Sequence, residues 1–202
     1  MTRLFLVRHG ETDWNIAGRL QGRRDIPLNS LGRIQAAEVG RVLGQMVADV
    51  RALTYVSSPL SRAVETMRIL RTALDLPVSD FRQDADLREL SFGRWEGSTW
   101  PDLRRRYPED VEARDREPWH FAPPAGESYG ELAVRACAVV DALPSDSVVV
   151  THGGVIRALL QAKTGMPTGE AALLPIRQGA VYVLTDKGFE VAAVGRAPAD
   201  RR

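Results

Sequence analysis

The chain has 202 residues and a formal net charge of +1, a length that suits one domain able to bury about 70% of its unfolded surface without metal or disulfide staples. Hydrophobic residues make up 44% and charged residues 26%, an ordinary globular composition that gives no ground for nucleic-acid binding or attraction to a membrane surface. Cys137 is alone, which excludes a disulfide framework, and with no leader pattern before Leu4 and no apolar run near the ~20 residues of a membrane span, the expected location is the cytoplasm.

Taken in order, Leu4-Phe5-Leu6-Val7 reads as a buried strand stopped by Arg8-His9-Gly10. Residues 15–26 are polar and contain Gly, which predicts a loop or short helix. A helix is expected from a cap at Asn29 or Ser30, with Leu31, Ile34, Val39, Val42, Leu43, Met46 and Val47 at helical spacing. Leu53-Thr54-Tyr55-Val56 is a second strand. Ser58-Pro59 then opens a helix, with Ser as its cap and Leu60, Ala63, Val64, Met67, Leu70 and Leu74 on its apolar face. Strand, helix, strand, helix implies βαβ units and a largely parallel sheet.

Residues 81–95 predict an extended segment or loop across the sheet ends. Residues 102–106 predict a helix with Arg104-Arg105-Arg106 on a solvated face, and Pro118, Pro123, Pro124 and Gly126 break the next segment into loop. The stretch of about 98–126 departs from α/β alternation and is expected to lie over the sheet ends as a cap. Trp95, Trp100, Trp119 and His120 pack it or line a pocket beneath it. Ser128-Tyr129-Gly130-Glu131 matches a capping box, heading a helix that buries Leu132, Ala136, Val139, Val140 and Leu143. Val148-Val149-Val150-Thr151 is a strand ending, like the first, in His-Gly: His152-Gly153. A helix over about 155–163 comes next, then two strands, 180–185 and 189–194, around Asp186-Lys187-Gly188. Residues 195–202 read as a frayed polar tail.

Two of the three histidines thus sit at strand ends, where open α/β sheets bind ligands. Neutral imidazole can attack phosphorus, and Gly10 lets backbone approach an anion. Arg8 supplies a planar cation suited to phosphate oxygens. Arg62, in the first turns of its helix, is of the same type, and the helix start itself favours anions. His152 precedes another helix start and can donate to phosphoryl oxygens. Two arginines, two histidines and helix termini make an anion site without any metal. The bland alternatives are hydrogen-bonded core histidines, arginines in ion pairs, and a Glu89 paired with Arg88 or Arg94. A metal site built on the two histidines and Glu89 fits no short zinc spacing and would stand beside two cations. His120 and Cys137 read as structural.

Leu6-Val7-Arg8-His9-Gly10-Glu11-Thr12 with Trp14-Asn15 resembles the signature of the histidine phosphatase superfamily, also called phosphoglycerate mutase-like. Ser57-Ser58-Pro59-Leu60-Ser61-Arg62-Ala63, Leu87-Arg88-Glu89-Leu90-Ser91-Phe92-Gly93 and Val150-Thr151-His152-Gly153 fit it in the family's order, from residue 4 to about 185. The resemblance implies an α/β three-layer sandwich: a mostly parallel central sheet, helices on both faces, and a cap insert over the strands' C-terminal ends. It implies that His9 is phosphorylated, that Arg8, Arg62 and His152 hold the phosphoryl group, and that Glu89 protonates the leaving oxygen. Asn15, Gln21, Gly22 and Gly153 match positions at the phosphate. No metal and no cofactor are called for, the partner is a small phosphorylated metabolite, and a homodimer is allowed.

Glu89-Leu90-Ser91-Phe92-Gly93-Arg94-Trp95-Glu96-Gly97 is similar to the broad-specificity and α-ribazole phosphatases. Mutases of the family carry Arg directly after the catalytic Glu and Tyr before the Gly, where this chain has Leu90 and Phe92. The expected activity is therefore metal-independent hydrolysis of a small phosphomonoester through a phosphohistidine. The alternatives are a cofactor-dependent phosphoglycerate mutase, with Arg114 or Arg116 as substrate clamp, and a phosphoprotein phosphatase or non-catalytic phosphate-binding module.

Overall fold

A computed structural model describes residues 2–193, so the polar tail over 195–202 and Val194 of the last expected strand lie outside the described residues. Six strands, β1 (Leu4–Arg8), β2 (Thr54–Ser57), β3 (Arg82–Gln83), β4 (Ser147–Thr151), β5 (Ala180–Thr185) and β6 (Gly188–Ala193), form one sheet in the order β3-β2-β4-β1-β5-β6. The first four in that order run parallel; β5 is antiparallel to both of its neighbours, β1 and β6. The helices are α1 (Asp13–Ile16), α2 (Ser30–Met46), α3 (Ser61–Ala73), α4 (Trp100–Arg106), α5 (Pro108–Arg116), α6 (Tyr129–Asp141), α7 (Gly153–Thr164) and α8 (Thr168–Leu173).

The apolar strands have no polar face because both faces are covered. Leu4 and Leu6 of β1 and Val149 of β4 face a core shared with α6, α7 and α8. Phe5, Val7, Val148 and Val150 face a second core with α2 and α3. The result is the expected α/β arrangement of helix, sheet and helix layers. No helix among the described residues is long and apolar enough to cross a membrane.

Two helices differ from the sequence expectation. Asn29 caps α2, its Oδ1 accepting from Gly32 N at 2.8 Å, but Leu31 and Ile34 are 48% and 59% exposed. The buried face runs instead through Gly32, Ala36, Val39, Gly40 and Leu43. Close backbone approach decides this: a Cβ on Gly10 would stand 2.2 Å from Gly32 O, and one on Gly40 2.7 Å from Leu70 O. The small face packs where the bulky one cannot. Helix α3 begins at Ser61 with Leu60 as an N-cap that makes no side-chain cap bond. Ser58, read as the cap, is used elsewhere.

The Ser128 capping box of α6 forms as expected. The insert folds as two helices, not one. Thr99 and Asp102 make a capping box for α4, and Pro108 sits in the first turn of α5. Trp95, Leu103 and Val111 form a third small core, with Leu20, Phe92, Trp100 and Phe121 against it. The two ends of the insert are stitched together by Arg94 N–H to Pro124 O (3.0 Å) and Glu127 N–H to Ser91 O (2.9 Å). Gly93, with φ +52°, permits that seam; a Cβ there would stand 2.3 Å from Pro124 O.

Candidate active site

Strands β2, β4 and β1 are neighbours and parallel, so their carboxyl ends lie side by side. The ladder continues one residue further, through His9 N–H to Thr151 O and Ser58 N–H to Val150 O, both 2.9 Å. His9, Ser58 and His152 therefore emerge together, with the two imidazole centroids 5.2 Å apart.

His9 is 2% exposed, and its Nδ1 lies 2.7 Å from Gly10 O. A carbonyl can only accept, so Nδ1 carries the ring proton and Nε2 keeps its lone pair. Burial, reinforced by Arg62 and Arg8, holds the pKa well below the usual 6.5. His152 is fully buried, its Nε2 2.8 Å from Ser58 Oγ. That oxygen also accepts from Leu60 N–H at 3.4 Å. In the tautomer where Ser58 donates to Nε2, the His152 proton is on Nδ1, which has no partner among the described residues. Burial, then Arg62 and His9, keeps this imidazole neutral as well.

The two arginines are held by carbonyls. Arg8 Nη1 donates to Ile176 O at 2.7 Å. Arg62 donates from Nη1 to Arg24 O (2.6 Å) and from Nη2 to Gly22 O (2.8 Å), which fixes the loop carrying Gln21. Neither Nε has a partner among the described residues. Burial lowers both pKa values, opposed first by Glu89; Arg62 is pushed down to about 10, so it remains a cation at neutral pH.

Glu89 pairs with neither Arg88 nor Arg94. Its carboxylate accepts from Leu90 N–H at 2.8 Å and from Gly154 N–H at 3.1 and 3.2 Å, on the first turn of α7. A Cβ on Gly154 would stand 2.4 Å from Glu89 Oε1, so glycine is required for that contact. From behind, Arg135 donates to Glu89 O at 3.2 Å while gripping both oxygens of Glu127 at 2.7 Å. Glu127 in turn accepts from Ser91 N–H at 3.3 Å. This bidentate pair ties the Glu89 loop to α6.

A cavity of about 140 Å³ lies between these groups. Arg8, His9, Asn15, Gln21, Gly22, Arg62, Glu89 and Gly153 all line it. His152, although within ring contact of His9, is not among its lining residues. Gln21 Oε1 is buried and without a partner among the described residues. Asn15 Oδ1 is engaged by Thr12 and by Gln178 Nε2 at 2.8 Å, which leaves its amide N–H groups. Ser58, Gly154, Gln178, Arg157 and the Glu127–Arg135 pair do not stand out in the sequence as site residues. The doubled Gly153-Gly154 is a readable signal of close approach; the pair, eight residues apart across a loop and helix, carries none.

The neutral histidines have a consequence for stability. Each has a folded pKa below its unfolded value near 6.5. As pH falls through 6.5 the unfolded chain binds more protons than the fold, so stability falls. Denaturation midpoints should drop between pH 7.5 and 5.5, and the drop should be smaller in His152→Gln. An unchanged slope in the variant would mean that His152 titrates normally in the fold.

Comparison with known proteins gives a consistent picture. The family model for the histidine phosphatase superfamily (branch 1) matches residues 4–195. The uncharacterized phosphatase PhoE of Bacillus subtilis (strain 168) is 36% identical over 170 residues, covering 82% of this chain and 79% of that protein. A protein named 2,3-bisphosphoglycerate-dependent phosphoglycerate mutase 2, from Gloeobacter violaceus, is 31% identical over 167 residues, covering 79% and 74%. The native structure of a mycobacterial glucosyl-3-phosphoglycerate phosphatase superposes with a TM-score of 0.78 at 30% identity, covering 95% of this chain and 97% of that one.

Proposed function

Since this chain belongs to the histidine phosphatase superfamily, we propose that it hydrolyses a small phosphomonoester, without metal, through a phosphohistidine on His9. One observation carries the reading. Three of the buried nitrogens without a partner among the described residues, Arg8 Nε, Arg62 Nε and His152 Nδ1, belong to the side chains grouped with His9 at the strand ends. A buried polar group left without a partner costs about 1–3 kcal/mol. A phosphoryl group at the strand ends would offer oxygens to these nitrogens and add negative charge where two arginines face one carboxylate, Glu89.

The geometry suits two successive displacements at phosphorus. His9 Nε2 attacks phosphorus, forming N–P as the ester P–O bond breaks. Glu89, entering the step in its protonated form, gives that proton to the departing oxygen and is left as the carboxylate. Arg8, Arg62 and His152 stabilise the charge on the equatorial oxygens, where preorganised donors act most strongly. Water then attacks the phosphohistidine, Glu89 takes its proton, the N–P bond breaks and phosphate leaves. The arginines supply the positive charge that a metal provides in other phosphatases.

A mutase must hold a bisphosphorylated intermediate against water, and it needs cations beyond the phosphoryl site. Leu90 and Phe92 contribute none, and Arg114, the clamp expected of a mutase, is bonded to Asp115 and stacked on Trp100. On 3-phosphoglycerate, free phosphate should therefore exceed isomerised product, with or without 2,3-bisphosphoglycerate, and EDTA should leave phosphate release unchanged. Rapid isomerisation with negligible phosphate would assign the mutase reading instead.

A further inference from the structure

A second cavity, of about 200 Å³, adjoins the first; Leu20, Phe92 and Arg157 line both. Packed aromatic groups set its shape. Trp95 stacks on Phe121 at 5.4 Å and meets Trp100 edge-on at 6.1 Å. No carboxylate, amide or aliphatic hydroxyl side chain lines it among the described residues.

Its polar groups are donors. The Trp95 indole Nε1–H is buried without a partner among the described residues. Arg114 is already engaged, stacked over Trp100 at 4.7 Å and bonded to Asp115 at 2.9 Å. Arg157 is anchored through Nε to Leu174 O (2.7 Å) and through Nη1 to the Tyr129 hydroxyl (3.2 Å). Its remaining amino group is left for a ligand that bridges the two cavities.

We propose that this cavity receives the alcohol part of the substrate, and that this part is an apolar group of about one ring bearing a carboxylate or carbonyl oxygen. The proposal rests on the phosphatase reading above. Size and the aromatic wall set the first half: about 150 Å³ is enough for benzene, so this cavity, walled by Phe92, Trp95, Trp100 and Phe121, has room for a single substituted ring. Donor chemistry sets the second. A carboxylate or carbonyl accepts from Arg157 and Trp95 and donates nothing. A polyol brings hydroxyl donors to walls whose one side-chain acceptor among the described residues, the Tyr129 hydroxyl, is already bonded by Arg157, and unpaired polar groups discriminate strongly.

The test compares kcat/KM for esters of primary alcohols, so that leaving-group chemistry is matched: 2-phenylethyl phosphate, its para-carboxylate, glycerol 3-phosphate and glucose 6-phosphate. p-Nitrophenyl phosphate reports catalytic competence. The phenylethyl ester should exceed both polyol esters by about tenfold or more, and the carboxylate should add a further several-fold gain. Trp95→Phe should reduce that carboxylate gain. Leu173→Trp, at a lining residue that is 62% exposed and so little needed for folding, should narrow the ratio of phenylethyl to glycerol ester. Equal rates for apolar and polyol esters, or a preference for the polyols, would overturn the subsite. A carboxylate that adds nothing would overturn its acceptor half. No hydrolysis of any ester, p-nitrophenyl phosphate included, would overturn the phosphatase reading itself.

Discussion

Replacing His9 with Ala should reduce phosphate release from a small phosphomonoester by about 10⁴-fold or more, the scale seen when a nucleophile is removed. Rapid quench of wild-type protein should trap acid-labile, base-stable phosphate, and the variant should trap none. The reason lies in one hydrogen bond. Gly10 O fixes the proton on Nδ1, so Nε2 always presents a lone pair, and burial keeps the ring neutral at working pH. His152→Ala should behave differently. It removes a donor, not the attacking atom, so the loss should be about a hundredfold with phosphoprotein still detectable. Near-normal turnover by His9→Ala would end the phosphohistidine mechanism.

Glu89→Gln should lose about 10²–10⁴-fold on an alkyl phosphate, yet far less on p-nitrophenyl phosphate. A general acid matters in proportion to how badly the leaving oxygen needs its proton, and p-nitrophenolate departs as a stable anion. The carboxylate's position makes a second route to the same result. Gly154→Ala would put a Cβ 2.4 Å from Glu89 Oε1, displacing the acid without altering its chemistry, and should show the same dependence on leaving group. Equal losses on both substrates would leave Glu89 as a structural or water-activating residue.

The strands and their His-Gly endings are legible in the sequence because a strand buried on both faces must be a continuous apolar run, and β1 and β4 each run into one of the two paired histidines. The capping box on Ser128 and the cap at Asn29 are legible for a local reason: side chain and backbone partners lie three residues apart. The features that stay hidden depend on contacts between distant segments. The buried face of α2 escapes a reading by apolar period because its glycines pack on backbone from other elements, which bulky Leu31 and Ile34 cannot do. Ser58 looks like a helix cap because that is the commoner use of Ser before Pro; only the arrival of β4 brings His152 to it. Helix α5 buries only Val111, so no apolar period announces it, and α8 is six residues long.

The seam at Arg94–Pro124 and Ser91–Glu127 closes the insert at its neck; Leu103 and Val111 pack in the small third core, while Trp119 joins the core shared with α6, α7 and α8. Arg8, His9, Arg62, Glu89 and His152 all lie outside the insert in the chain. The excursion can therefore be exchanged or lengthened with those five chain positions unchanged, provided the contacts to Leu20 and Phe92 are kept. The entropic penalty for such change is slight, because doubling a closed loop adds only about 0.6 kcal/mol. Recognition and reaction can thus diverge at different speeds in one polypeptide, with the chemistry inherited and the clientele renegotiated.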